Sequence, residues 1–410
     1  MVRELERKRQ SAKFPETAPA ANPVFFRTYS RRTKAGLRET WDEVCDRTLL
    51  GLVELGKLTQ EEGVILDKMQ RNLKAMPSGR WLWVGGTDWI TKPKNFSGAY
   101  NCTSTNLEDW SAFGLMMDLA MMGCGTGAVI EPQFINQLPP IRNQLNVTVQ
   151  GEIGSTPVQQ RREYTETHIE GNNVTIHVGD SREGWVESYQ ALLELSTNER
   201  FSEEVEVLVD ISDVRKAGET LNGFGGVANP VKLPGLYQRC ASILSKAVGR
   251  QLNSVECCLL IDQGAVTIVA GNIRRSAGMR QFIADDEQGG TAKDNLWQQD
   301  ESGNWRIDPQ RDALRMANHT RVFHRKPTLE ECLNAVRKQY YSGEGAIQWA
   351  GEAVARSNID LLPTQALKVN FLQAYEQGTA KQWLQERYPQ LDANELEHRL
   401  ARYGLNPCGK

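Results

Sequence analysis

The segment Gly404-Leu405-Asn406-Pro407-Cys408-Gly409 constrains this chain more than any other, because it can continue neither a helix nor a strand. Proline fixes φ and lacks an amide donor, the residue before it is driven to extended angles, and glycine admits positive φ, so Asn-Pro-Cys-Gly reads as a turn. Just before it, Leu396, Leu400 and Tyr403 recur at helical spacing, with Glu395, Glu397 and Arg399 on the outer face. A helix over 394–403 that stops at Gly404 therefore delivers a cysteine on a loop into the interior. Two readings of that thiol stand side by side: an incidental residue near a frayed end at Lys410, or a group held for chemistry.

Composition narrows the classes. With 410 residues and 40% hydrophobic content, the chain can bury one large core or two smaller ones. A net charge of -3 and a pI near 6.1 give no basic face for duplex nucleic acid, so any nucleotide partner is expected to be small. No run of eighteen apolar residues and no signal-like stretch occurs, which predicts a cytoplasmic protein without membrane contact. The eight cysteines form no CxxC pair and no zinc-type cluster with histidine, so no metal site is expected. Cys45, Cys240, Cys257, Cys258 and Cys332 read as core fillers, and Cys124 as a packing residue in a glycine loop. Cys102 and Cys408 differ, standing among polar or turn-forming neighbours.

Along the chain, residues 1–24 read as a flexible basic arm, and 25–76 as a helical region in which two amphipathic helices, around Trp41–Val53 and Val64–Leu73, form a hairpin. Residues 77–130 begin a second region: an irregular tryptophan-rich passage over 79–98, then a buried helix over Trp110–Met122. The run Gly123-Cys124-Gly125-Thr126-Gly127 reads as the loop ending that helix. Residues 131–208 turn polar, with a strand at Asn173–Val178 and a helix around Trp185–Leu193, and read as an inserted subdomain. In 209–410, helices are expected over Leu236–Val248 and Leu329–Tyr341. The apolar stretch Val255–Val269 is ambiguous between helix and strand.

Several motifs occur in one order: Met76-Pro77-Ser78-Gly79-Arg80, Tyr100-Asn101-Cys102-Thr103, Met121 to Gly127, Val178 to Trp185, Val214 to Gly226, Gly271 to Ala277, and finally Asn406-Pro407-Cys408-Gly409. Together they resemble the N-terminal part of the adenosylcobalamin-dependent (class II) ribonucleotide reductases, most of all the monomeric, triphosphate-reducing branch. The resemblance runs from about residue 25 to the end. It implies an α/β fold: an N-terminal helical region plus the first half of a reductase-type α/β barrel, interrupted by an inserted subdomain and ending at the finger loop.

Reduction at the 2′ carbon of a ribose needs a radical to activate the 3′ C–H, a base for the 3′ hydroxyl, and two thiols as electron donors. By position in the family pattern, the resemblance makes Cys408 the thiyl, Cys102 one reductant thiol, and Asn406 a ribose-binding catalytic residue. Ser78 and Asn101 would contact substrate, though each also reads as a local turn or hydrogen-bonding residue. Asp109 would bind a deoxynucleoside triphosphate effector, or simply cap a helix. Gly223, Phe224, Gly225 and Gly226 would relay effector identity, or form an ordinary loop. Arg274 and Arg275 read equally as an anion patch or an internal ion-pair group.

The family pattern continues with glutamate where Lys410 stands, and an ammonium cannot accept the 3′ proton. The resemblance also places the second reductant thiol, the substrate-phosphate site and the thioredoxin-exchanging tail beyond Lys410. The leading expectation is reduction of ribonucleoside triphosphates, with adenosylcobalamin bound by the complete enzyme, thioredoxin or a similar reductant, and a C-terminal half supplied separately. Two alternatives remain open: a nucleotide-binding remnant without catalysis, and one part of a split or spliced reductase.

Overall fold

The computed structural model describes residues 14–15, 17–33, 35–202, 204–219, 228–270 and 277–407. Among these, residues up to Asn101 form one compact unit and those from Cys102 onward form the other.

The first unit is helical. Thr40 and Thr59 each open a helix, Trp41–Gly56 and Gln60–Arg71, with a reciprocal capping box to Glu43 and Glu62. Lys57, at φ 49°, ends the first and permits the tight return that makes the pair a hairpin. Its inner face is pinned by polar links: Gln70 donates to Thr48 at 2.7 Å, and the Trp81 indole donates to the Thr48 carbonyl at 3.1 Å. The irregular 79–98 passage contains a short helix, Gly79–Val84, and a 3-10 segment, Pro93–Ala99. Residues 1–13 of the expected arm lie outside the described residues, and its end, Ala21–Val24, is a helical turn.

The second unit carries the strands β1 (Cys102–Asn106), β2 (Gly125–Val129), β3 (Gln144–Gln150), β4 (Glu166–Glu170), β5 (Asn173–His177), β6 (Glu204–Asp210), β7 (Gly278–Ile283), β8 (Trp297–Gln299), β9 (Trp305–Ile307), β10 (Ala317–Phe323) and β11 (Ala346–Trp349). Five of them form an all-parallel sheet in the order β1-β2-β7-β10-β11. Parallel neighbours need long crossovers, and the helices Trp110–Met121 and Leu329–Ser342 supply two of them. Between β2 and β7 the chain builds a second, four-stranded sheet in the order β3-β6-β5-β4, with the helices Arg182–Leu195, Leu233–Ser245 and Ser254–Ala270.

Alternation along β2 divides two cores. Ala128 and Ile130 enter the larger one, with Phe113, Phe282 and the helices packed on the second sheet. Val129 enters the other with Val322, Leu384, Leu396 and Tyr403. One face of the parallel sheet therefore packs on the helices of the larger core, while the other packs on the helices Ala350–Ser357, Gln365–Glu376, Ala380–Arg387 and Ala393–Leu400 that lead to Asn406.

Most expected helices and strands are present, two expectations change, and one ambiguity is resolved. The glycine run after Met122 is not all loop: Gly123, at φ 74°, ends the helix, but Gly125–Val129 is a fully buried strand. Cys124 is completely buried immediately before it. The ambiguous apolar stretch is one helix, Ser254–Ala270. Cys332 is half-buried instead of a core filler, because no residue of its helix is buried.

Candidate active site

The residues that bring chemistry together do so through glycines. A Cβ built on Gly404 would stand 2.2 Å from Ser104 Oγ and 3.0 Å from a Val129 methyl. One on Gly127 would stand 1.9 Å from the Leu405 carbonyl oxygen and 3.2 Å from Asn406 Cα. On Gly125 it would meet Cys102 Sγ at 3.0 Å and the Pro407 ring at 3.4 Å. Residues 404 to 407 thus run along β2 from Val129 back to Gly125, in van der Waals contact with its backbone. Gly125 and Gly127, two residues apart on a strand, share the face that must admit this approach.

Cys102 opens β1 in register with Gly125 and is half-buried. Its sulfur and the Pro407 ring therefore flank the same glycine, which brings Cys102 beside the Asn406-Pro407 turn. Asn406 is half-buried over Gly127. Cys408 lies outside the described residues, as do Gly223, Phe224, Gly225, Gly226, Arg274 and Arg275.

The other expected site residues show their local roles. Ser78 caps the Gly79–Val84 helix by accepting from Trp81 N–H at 3.2 Å, and Asn101 accepts from Arg80 Nε at 3.0 Å. Both belong to the first unit. Asp109 caps the Trp110–Met121 helix, accepting from Ala112 N–H at 2.8 Å, and its exposed carboxylate is also reached by Ser111 Oγ at 2.6 Å.

Beneath the opposite face of β2 sits a fully buried ion pair. Arg280 donates to Asp262 Oδ1 through Nη2 at 2.7 Å and Nε at 3.1 Å, and its Nη1 donates to the Thr126 carbonyl at 3.0 Å. The pair thus supports β2 from below, between the two glycines. The Cys258 thiol donates to Asp262 Oδ2 at 3.2 Å and lies 3.7 Å from His319 Nε2. Burial, with the Lys293 and Arg280 cations nearby, pushes the His319 imidazole down to about 3, and burial pushes the Cys258 thiol well up. Although Cys258, Asp262 and His319 have the donor types of a metal site, the carboxylate is already matched by Arg280 and by the thiol proton. The cluster is charge-balanced as it stands, and no metal is assigned to it.

Sequence reasoning missed the roles of Gly125 and Gly127, and of Gln281, whose Oε1 accepts from Leu405 N–H at 2.7 Å. The Gly-x-Gly spacing is the available signal, because on a strand it clears one face.

Residues 149–241 match the family model of the insertion domain of B12-dependent ribonucleotide reductase. A solved B-12 dependent (class II) ribonucleotide reductase shares the fold with a TM-score of 0.57 and 21% identity, over 73% of this chain and 45% of that one. The parallel sheet and its threaded turn are thus a partial α/β architecture of the ribonucleotide-reductase type. Among curated relatives, the adenosylcobalamin-dependent ribonucleoside-triphosphate reductase of Levilactobacillus brevis is 28% identical over 306 residues, 64% of this chain and 41% of that protein. The enzyme of the same name from Lacticaseibacillus paracasei is 29% identical over 312 residues, with the same coverage of 64% and 41%. Residues 149–241 thus match an insertion domain of B12-dependent ribonucleotide reductase, and the chain is similar to adenosylcobalamin-dependent ribonucleoside-triphosphate reductases. It spans about two fifths of the length of the curated relatives it matches.

Proposed function

We propose that this chain provides the radical-cysteine wall of a ribonucleoside-triphosphate reductase: Cys408 as the thiyl, Cys102 as one of two reductant thiols, and Asn406 as a ribose-binding group. The observation that carries this reading is the seating of Leu405–Pro407 on Gly125 and Gly127, which brings the turn against Cys102. A turn placed only to end a chain needs no glycine-cleared strand beneath it.

In the proposed reaction, the Cys408 thiyl takes the 3′ hydrogen of the ribose and returns it at the end. Cys102 and a second thiol together give up two electrons and two protons, the 2′ hydroxyl leaves as water, and the two sulfurs close a disulfide. The base for the 3′ hydroxyl is not Lys410, since an ammonium holds its proton at neutral pH. That base and the second thiol are therefore assigned to a further polypeptide segment. Ser78 and Asn101 are proposed to contact substrate, Asp109 the deoxynucleoside triphosphate effector, and Gly223 to Gly226 the relay between them. A thioredoxin-like protein would reopen the disulfide.

Adenosylcobalamin supplies the initiating radical in such an enzyme. The groove beside Gly404, about 450 Å³ and lined by Ser104, Asn106, Glu108, His398 and Arg402, is polar and scaled to a sugar or phosphate, not to a corrin. These residues do not fit the cofactor, and no step through it is assigned to them.

The test is complementation. The chain is combined with the C-terminal part of a relative, with glutamate following Gly409, and supplied with adenosylcobalamin, a ribonucleoside triphosphate and thioredoxin. Deoxynucleotide should form, and Cys408→Ser and Cys102→Ser should each abolish thioredoxin-driven turnover. Turnover that survives Cys408→Ser would overturn the assignment. Nucleotide binding without product would favour the second reading, a binding remnant, which Lys410 supports.

A further inference from the structure

The backbone just before the Asn406-Pro407 turn is held by side chains that no sequence motif singled out. The Leu405 N–H donates to Gln281 Oε1 at 2.7 Å, Gln281 Nε2 donates to Gln348 Oε1 at 2.7 Å, and Gln348 Nε2 donates to the Tyr403 carbonyl. Two primary amides, on β7 and β11, thus bridge the donor of residue 405 to the acceptor of residue 403. Gln281 is fully buried and Gln348 is 7% exposed. The bridge has a direction: turning either amide over would set N–H against N–H or oxygen against oxygen.

A third tie holds the Tyr403 side chain. Its hydroxyl donates to Glu131 Oε2 at 2.8 Å, and that carboxylate is 1% exposed. His324 Nε2 lies 2.8 Å from the same oxygen, and its Nδ1 lies 3.3 Å from the Tyr375 hydroxyl, so Tyr375 donating to Nδ1 leaves Nε2–H to donate to Glu131. Burial beside Glu131 pushes the Tyr403 phenol well up, which keeps it a donor.

Two leucines would fill the space of Gln281 and Gln348 without desolvating two amides. Burying the amides is tolerable only because every link is made, and what the links secure is the register of the loop on β2. We propose that Gln281, Gln348 and Glu131 are positioning residues for the Asn406-Pro407 turn: they touch no reacting atom and act only by fixing residues 403 and 405. Their consequence for catalysis rests on the reading that this turn carries the radical cysteine.

Hydrogen exchange on the full chain tests the clamp without requiring activity. Gln281→Leu should make the amides of 403–406 exchange roughly tenfold faster, while the amides of β2 and β10 keep their rates. Gln348→Leu breaks the Tyr403 carbonyl link and leaves the Leu405 N–H on Gln281. Tyr403→Phe breaks the Glu131 link, together with the hydrogen bond that the Gln133 amide donates to the same hydroxyl. Each should loosen the same segment by a smaller factor. Unchanged exchange of 403–406 in Gln281→Leu would overturn the proposal, as would equal loss of protection across the whole sheet in all three variants, which marks a merely structural role. In the complemented enzyme the same variants should lower kcat and leave KM for the triphosphate unchanged. An inactive complex would leave the exchange result standing, so the clamp and the reductase reading fail separately.

Discussion

Gly127 cannot carry a side chain because the main-chain oxygen of Leu405 stands 1.9 Å from where its Cβ would be. A methyl group there forces the loop off the strand or the strand out of the sheet. Gly127→Ala should therefore cost about 1–3 kcal/mol in urea denaturation, the usual range for overpacking a tight site. Gly235→Ala is the matched control: it lies in the Leu233–Ser245 helix with open space around its Cβ position, and should gain about 0.5–1 kcal/mol. Equal behaviour of the two variants would mean that the loop is not seated on β2.

The Asp262–Arg280 pair, with both side chains fully buried, makes a second prediction. Asp262→Asn leaves the guanidinium without its counter-charge and should destabilise the chain by about 3–5 kcal/mol. Arg71, which faces Asp42, Asp46 and Asp67 at the surface, is the contrast. Asp42→Asn should cost less than about 1 kcal/mol, because its carboxylate is mostly exposed and screened. Urea midpoints of the two variants at one salt concentration decide the comparison.

The legibility of this chain follows how local each cause is. The helices opened by Thr40, Thr59 and Thr328 carry their capping partners within three residues and their apolar spacing within a few turns, and that spacing is what identified them. The ambiguous 255–269 stretch is mostly apolar, and even its Asp262, Gln263 and Thr267 are buried in the helix it forms, which removes the periodic signal. The Gly125–Val129 strand was missed because its glycines answer to Leu405 and Pro407, about two thirds of the chain away in sequence. Gln281 and Gln348 were invisible for the same reason: an isolated glutamine carries no sign of what it bridges. The Asn-Pro-Cys-Gly turn and Cys102 were legible as motifs, and what the sequence could not supply was the surface that brings them together.

The acid limb of stability has a named origin. The ordinary histidine value is about 6.5, whereas burial holds His319 at about 3. Between those values the unfolded chain binds a proton that the folded chain does not, so this contribution is complete above about pH 6.5 and is lost as pH falls toward 3. From pH 6.5 to 5 the loss should be about 2 kcal/mol, and His319→Gln should flatten that part of the urea-midpoint profile. Glu219, held at about 2 by Arg161, acts lower, below its ordinary value of 4.5. A profile unchanged in His319→Gln would show that this imidazole is not buried neutral.

The most direct measurement of the central claim is bridging of Cys102 and Cys408 by dibromobimane, which becomes fluorescent when it links two neighbouring thiols. The seating of Leu405–Pro407 against Gly125 predicts a single dominant bridged peptide pair containing Cys102 and Cys408, lost in Cys102→Ser, in Cys408→Ser and in Gly127→Ala. Cys240, Cys257 and Cys258 are fully buried and should not compete. Independent labelling of Cys102 and Cys408, with no bridged pair in the folded wild-type chain, would contradict the account.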